Sequence, residues 1–305
     1  MHNESPIAAI TWMTVNTSGV LSGGEAVRRG VSRKQLQRLC QDGFLERVLP
    51  DTYRVVAVAS TAEQRLRAAL LWAGPRAAGW CRSAGMIYRL EEVVARSAEI
   101  VVPDSRGCRP PSGIVVRRSN DREALMIRQV RGFPVTGVEA TLVALASRLD
   151  ATQLEVACED ARRRRLTTVP AMRAYLDRHG RSGRSGSAAL KQLLCDLDPE
   201  HPSRSKLEVL TRRLLAANGL GGFTRELRLE WNGRAYYFDF AYEPYRLIVE
   251  TNGRRFHDDP NGYEYDQEKW SVPARYGYRI VFATWSKVND APQKLCGEIR
   301  AALAA

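Results

Sequence analysis

No two cysteines in this chain stand as a Cys-x-x-Cys pair: Cys40, Cys81, Cys108, Cys158, Cys195 and Cys296 are scattered singly among 305 residues. That spacing argues against a zinc knuckle and against a disulfide framework, and it suits a reducing cytoplasm. Long apolar runs are missing as well, since no window approaches the roughly 18 apolar residues a membrane span needs. The first fourteen residues hold Glu4 and lack a basic run ahead of their short apolar stretch, so neither an export leader nor an anchor is expected. Acidic charge is the scarcer sign: 34 Asp and Glu stand against 46 Lys and Arg, a formal net charge of +12. A field of that sign attracts polyanions and makes nucleic acid the default partner, although an ordinary basic protein satisfies the same count. With 44% hydrophobic residues, the chain has material for two or three packed domains of mixed α/β (α+β) type.

Four stretches are expected: a winged helix-turn-helix over 1–58, an α/β scaffold or regulatory domain over 59–180, a linker and connecting helix over 181–200, and a third domain over 201–305. In the first, Ser22 and Glu25 have capping-box spacing ahead of a short helix that ends near Arg29-Gly30. Ser32 then caps a second helix with Leu36 and Leu39 inside and Arg33, Lys34, Gln35 and Arg38 outside, the chemistry of a DNA recognition helix. Phe44 to Leu49 and Thr52 to Val55 read as a two-strand wing. The run Arg162 to Arg165 offers phosphate contacts, but a charge run at a helix end commonly just completes the helix dipole. Gly180 to Ser187 has linker composition.

The runs Gly30-Val31-Ser32-Arg33, Gly43-Phe44-Leu45 and Tyr53-Arg54 resemble the N-terminal winged helix of AbiEi-type antitoxins. A fainter likeness continues through Pro134-Val135-Thr136 and Glu139-Ala140-Thr141-Leu142. It implies a DNA-binding regulator and a possible toxin or defence-system partner.

The third domain opens with a helix from about Ser203 to Asn218, then two strands joined by Asn232-Gly233, then Arg246 to Asn252 after a turn at Pro244-Tyr245. Centring that turn pairs Glu243 with Arg246, Ala241 with Ile248 and Asp239 with Glu250. Phe238, Phe240 and Tyr242 are then expected on the opposite face with Leu247 and Val249. Two carboxylates directly opposite, with Cβ atoms about 5 Å apart, destabilise a sheet unless something compensates. A divalent ion does so, because Mg²⁺ is held by one or two carboxylates plus water and phosphate. Glu208 lies near on the helix, although Ser205 and Glu208 also have capping-box spacing.

An acidic helix residue, Asp239 on the second strand and Glu250 on the third resemble the PD-(D/E)xK nuclease core, which implies a restriction-endonuclease-like αβββαβ order. More narrowly, Asp239-Phe240 with Glu250-Thr251-Asn252-Gly253-Arg254-Arg255-Phe256-His257, Asp266 and Lys269 is similar to very-short-patch-repair endonucleases. The resemblance implies Asp239 as chief ligand of Mg²⁺ or Mn²⁺, with Glu250 and the Thr251 carbonyl beside it, and His257 as general base or water-positioning group. It implies DNA contacts at Arg254, Arg255 and Lys269. Where related nucleases carry Lys or Asp this chain has Asn252, which cannot supply a positive charge to a transition state. The expected function is a DNA endonuclease targeted by a winged helix. The alternatives are an antitoxin-like regulator with an inactive nuclease domain and an RNA-directed nuclease or toxin neutraliser. Oligomeric state is not legible.

Overall fold

A computed structural model describes residues 5–103, 109–180, 185–252 and 260–305. The chain is a mixed α/β protein with three sheets, divided into two compact units that meet in sequence at Leu197 and Asp198.

The first unit begins with α1 (Pro6–Thr14), β1 (Val20–Ser22), α2 (Gly23–Arg28), α3 (Arg33–Gln41), β2 (Leu45–Leu49) and β3 (Thr52–Val55). The strands form an antiparallel sheet in the order β1-β3-β2. Both helix starts follow from their caps. Ser22 accepts from the Glu25 N–H, and Ser32 and Gln35 form a reciprocal capping box. Leu36 and Leu39 are buried with Ala26, Val31 and Leu45, which leaves Arg33, Lys34, Gln35 and Arg38 outside.

The unit continues with α4 (Ala62–Ala73), β4 (Ala78–Gly79), α5 (Cys81–Tyr88), β5 (Ala98–Val102), β6 (Ile114–Arg118), α6 (Arg122–Leu125), β7 (Arg128–Val130), β8 (Phe133–Val135), α7 (Val138–Leu145), α8 (Ala151–Arg163), α9 (Val169–His179) and α10 (Ser187–Asp196). Its five strands run in the order β6-β5-β4-β8-β7. Leu66, Ile87, Ile100, Val135, Leu142 and Met172 share one core. Three arginines of the Arg162 to Arg165 run are engaged by carboxylates, and Arg165 is exposed. Arg162 is buried on Glu159 at 2.7 Å, Arg163 bridges Glu91 at 3.0 Å and Asp160 at 3.1 Å, and Arg164 meets Asp160 at 3.2 Å. Acidic residues on α8 and the loop after α5 take the charge inward, and a buried guanidinium needs such partners.

The second unit comprises α11 (Lys206–Ala217), β9 (Thr224–Trp231), β10 (Arg234–Tyr242), a 3-10 turn (Glu243–Tyr245), β11 (Leu247–Asn252), α12 (Pro260–Arg275), β12 (Arg279–Thr284), α13 (Trp285–Asn289) and α14 (Pro292–Ala304). The sheet order is β12-β11-β10-β9. Asn232 and Gly233, at φ +50° and +73°, make the tight β9–β10 turn that demands left-handed backbone at both centres. β11 and β12 pair in parallel, with Glu250 beside Phe282, and a parallel pair requires a crossover, which α12 supplies. Leu207, Phe240, Tyr242, Leu247, Val249 and Leu295 form one core. Tyr236, Phe238, Ala241, Ile248 and Val272 form another. Phe238 therefore does not share a face with Phe240 and Tyr242 as strict alternation predicts. The alternation breaks at Asp239: the ladder runs Phe238 to Leu227 and then Phe240 to Arg225, while Glu226 between them sits at φ +52°.

Candidate active site

Asp239 occupies the interrupted position of β10, so its backbone and side chain are released from regular pairing. On the other side the β10–β11 register is Tyr242 to Leu247, Ala241 to Ile248 and Phe240 to Val249, which sets Asp239 against Glu250 as the turn geometry predicts. At that point ladder bonds give way to an exchange through side chains. The Asp239 N–H donates to Glu250 Oε2 at 3.1 Å, and the Thr251 N–H donates to Asp239 Oδ2 at 2.8 Å. The Thr251 hydroxyl donates to the same Asp239 oxygen. Each strand's carboxylate thus takes the amide of the other strand.

Glu250 is 5% exposed and its Oε1 accepts from the Lys269 ammonium, brought over the sheet by α12. Lys269 also lies 5.2 Å from the centroid of the Phe238 ring. Burial, then the Asp239 charge, pushes the Glu250 carboxyl up to about 7, while Lys269 opposes the rise. Lys269 was expected to touch DNA; it is instead the counter-ion of the central carboxylate. Asn252, half-buried at the end of β11 opposite Thr284, brings no charge, and Lys269 places one at the carboxylates from a different element.

Glu208 is buried on α11, one turn in from Ser205, whose hydroxyl accepts from the Glu208 N–H at 3.1 Å. The reciprocal half of a capping box is replaced: Glu208 Oε2 accepts from the Arg204 N–H, and Oε1 accepts from Arg225 Nη2 at 3.0 Å. Burial and then the Asp239 charge raise its carboxyl to about 6, offset by the Arg204 amide and Arg225. The structure therefore brings Glu208, Asp239, Glu250, Thr251 and Lys269 into one electrostatic neighbourhood. Arg225 and Arg204 were missed by sequence reasoning. Arg225 sits opposite Phe240 in the ladder, one residue from Asp239, and register alone would have found it.

The donor set suits a hard cation, being all oxygen with two apposed carboxylates. Asp239 Oδ1 accepts from no described residue. Among the described residues no group of three or more His, Cys, Asp or Glu could hold a metal ion, so water and phosphate would have to complete a shell. Thr251 presents its N–H and hydroxyl to Asp239. Arg254, Arg255 and His257 lie outside the described residues.

On α3, Lys34 is exposed and Arg38 is exposed with Asp42 at 3.7 Å. Two neighbours are less available than the helical pattern implies. Arg33 is paired with Asp51 in the β2–β3 turn, and the Gln35 carbonyl is taken up by the cap, accepting from the Ser32 N–H at 2.8 Å. No described helix is long and apolar enough to cross a membrane.

No family model matches the chain, and no curated protein matches it. A solved structure, the RV2827C protein from Mycobacterium tuberculosis, is similar over 66% of this chain and 81% of that one, at 20% identity and a TM-score of 0.42. So distant a likeness leaves the function to be read from the side chains.

Proposed function

We propose that the chain is a metal-dependent DNA endonuclease whose catalytic residues are Asp239, Glu250 and Lys269, with Glu208 beside them, and whose winged helix holds the DNA. The observation that carries this reading is the apposition of Asp239 and Glu250 at a break in the sheet, each carboxylate bound to the other strand's amide and Glu250 also to a half-buried ammonium. An arrangement that costs stability and serves no packing purpose calls for a chemical one. Thr251 fixes Oδ2 of Asp239 and leaves Oδ1 for a ligand. Lys269 favours the ionised form of Glu250 and provides the positive charge that Asn252 lacks. Mg²⁺ or Mn²⁺ bound at Asp239 and Glu250 would supply Lewis acidity and a more acidic water. The resemblance that names His257 as general base adds a proton acceptor near neutral pH.

The second reading is an antitoxin-like regulator whose nuclease site is silent. It is favoured by the saturation of Glu250 by Lys269 and the Asp239 amide, which holds the carboxylates together with no cation at all. The two readings part in one experiment. Supercoiled plasmid, mismatched duplex and single strands are incubated with the full chain and Mg²⁺ or Mn²⁺, alongside Asp239→Ala. The enzyme reading expects nicking by the wild type alone. Tight duplex binding without any cleavage leaves the regulator.

A further inference from the structure

The first unit holds a cavity of about 400 Å³ that the nuclease reading does not use. Arg117 and Ser119 of the β6 end, Trp80 before α5, Arg148 after α7, Leu125 and Val143 are among the residues around it. None of the described residues lining it is acidic. Elsewhere in the unit arginines are consumed by carboxylates, as in the Arg162, Arg163 and Arg164 set. Arg117 and Arg148 meet no carboxylate or carbonyl with their guanidinium groups among the described residues. Arg148 is set in place from behind, its carbonyl accepting from Arg82 Nη2 at 3.0 Å. The Ser119 oxygen accepts from the Asp121 N–H at 3.2 Å, which leaves its O–H to donate. The Ser147 and Tyr175 hydroxyls donate to the Ala144 and Ala124 carbonyls, so the free donors of the wall include Ser119 and the two permanently charged arginines, and the remainder is apolar with a half-buried indole.

We propose that this cavity binds a small organic phosphate with a flat, largely apolar body, of the size and chemistry of a nucleoside monophosphate. Guanidinium is the side-chain chemistry that matches a phosphate dianion, and two arginines with no acidic residue in the described lining favour an anion over a cation. The volume falls within the range of small-molecule sites and exceeds what a lone phosphate fills. Trp80 with Leu125 and Val143 offers the apolar surface that a base would cover.

Calorimetry on the full chain tests this with AMP, GMP, adenosine and inorganic phosphate as probes, each up to about 10 mM. The expected result is binding of AMP or GMP with Kd on the order of 100 μM, weaker binding of inorganic phosphate and none of adenosine. In Arg117→Gln/Arg148→Gln the nucleotide should bind at least about tenfold more weakly. Both side chains are exposed, so this variant keeps its fold, which its melting transition verifies. Lys294→Gln, on α14 of the other unit, should bind as the wild type does. The proposal is overturned if neither nucleotide binds, if the double variant binds it unchanged, or if inorganic phosphate binds as tightly as AMP.

Discussion

Replacing Lys269 with Met keeps the length and apolar stem of the side chain and removes the charge that faces Glu250. Its cost is set by how much of Glu250 is ionised. With the Glu250 carboxyl raised to about 7, its protonated form is well populated near neutral pH, and that form has less to lose than the carboxylate when Lys269 goes. In metal-free buffer the variant should therefore cost only about half a kcal/mol at pH 7 and less at pH 6. Each pH unit above 7 adds at most about 1.4 kcal/mol for the ionised form, so the cost should climb from pH 7 towards pH 9 and level where the still higher carboxyl of the variant also ionises. The sign for the wild type is the usual one for an elevated carboxyl. Stability from Glu250 is fully present below its ordinary 4.5 and is lost as pH rises towards 7. The assay is urea unfolding of both proteins at pH 6, 7, 8 and 9 with EDTA present, followed by the signal of the second unit. A cost that is the same at all four pH values would refute the reasoning, because it would mean that Lys269 acts through packing and not through Glu250.

Three other outcomes follow from the same geometry. Asp239→Asn removes the charge that helps raise both Glu250 and Glu208, so both carboxyls should titrate lower by carbon-detected NMR; unchanged titrations would show that burial alone sets them. Mg²⁺ or Mn²⁺ at millimolar concentration should raise the melting temperature of the wild type, more at pH 8 than at pH 6, and not that of Asp239→Asn; equal effects on both proteins would remove the metal site. On the proposed DNA-contacting helix α3, Lys34→Ala/Arg38→Ala should weaken duplex binding and flatten the slope of log K against log salt by about two, while Asp51→Asn, which frees Arg33, should strengthen binding; an unchanged slope would exclude α3 as the contact surface.

The helices and strands around the site were legible because their punctuation is local. Ser32 and Ser205 cap, Asn232-Gly233 turns, and the hairpin register that opposes Ala241 to Ile248 follows from turn geometry alone. Three features were not legible, each for a reason of distance or irregularity. Phe238 changes sides because Glu226, in the neighbouring strand, takes a left-handed φ that no pattern in β10 announces. Lys269 reads as an isolated basic residue beside Asp266 and Glu268 on α12 until the parallel β11–β12 pairing fixes where that helix crosses. Arg163 looks like part of a surface charge run because its partner Glu91 becomes a neighbour only once α8 is packed, whereas Glu159 and Asp160 stand three or four residues before their arginines, where helical spacing announces them. In each case a tertiary partner overrides what the local spacing says about exposure.

The central claim is that Asp239 and Glu250 form a working hydrolytic centre with Lys269 as its cation. Single-turnover cleavage of an end-labelled duplex with saturating Mg²⁺ measures it most directly, with wild type, Asp239→Ala and Lys269→Met compared at equal DNA occupancy. The account predicts that the wild type cuts, that Asp239→Ala does not, and that Lys269→Met is slower by about a hundredfold or more with DNA affinity within a few fold. Cleavage by Asp239→Ala at the wild-type rate, or a bound duplex left intact by the wild type, would contradict it.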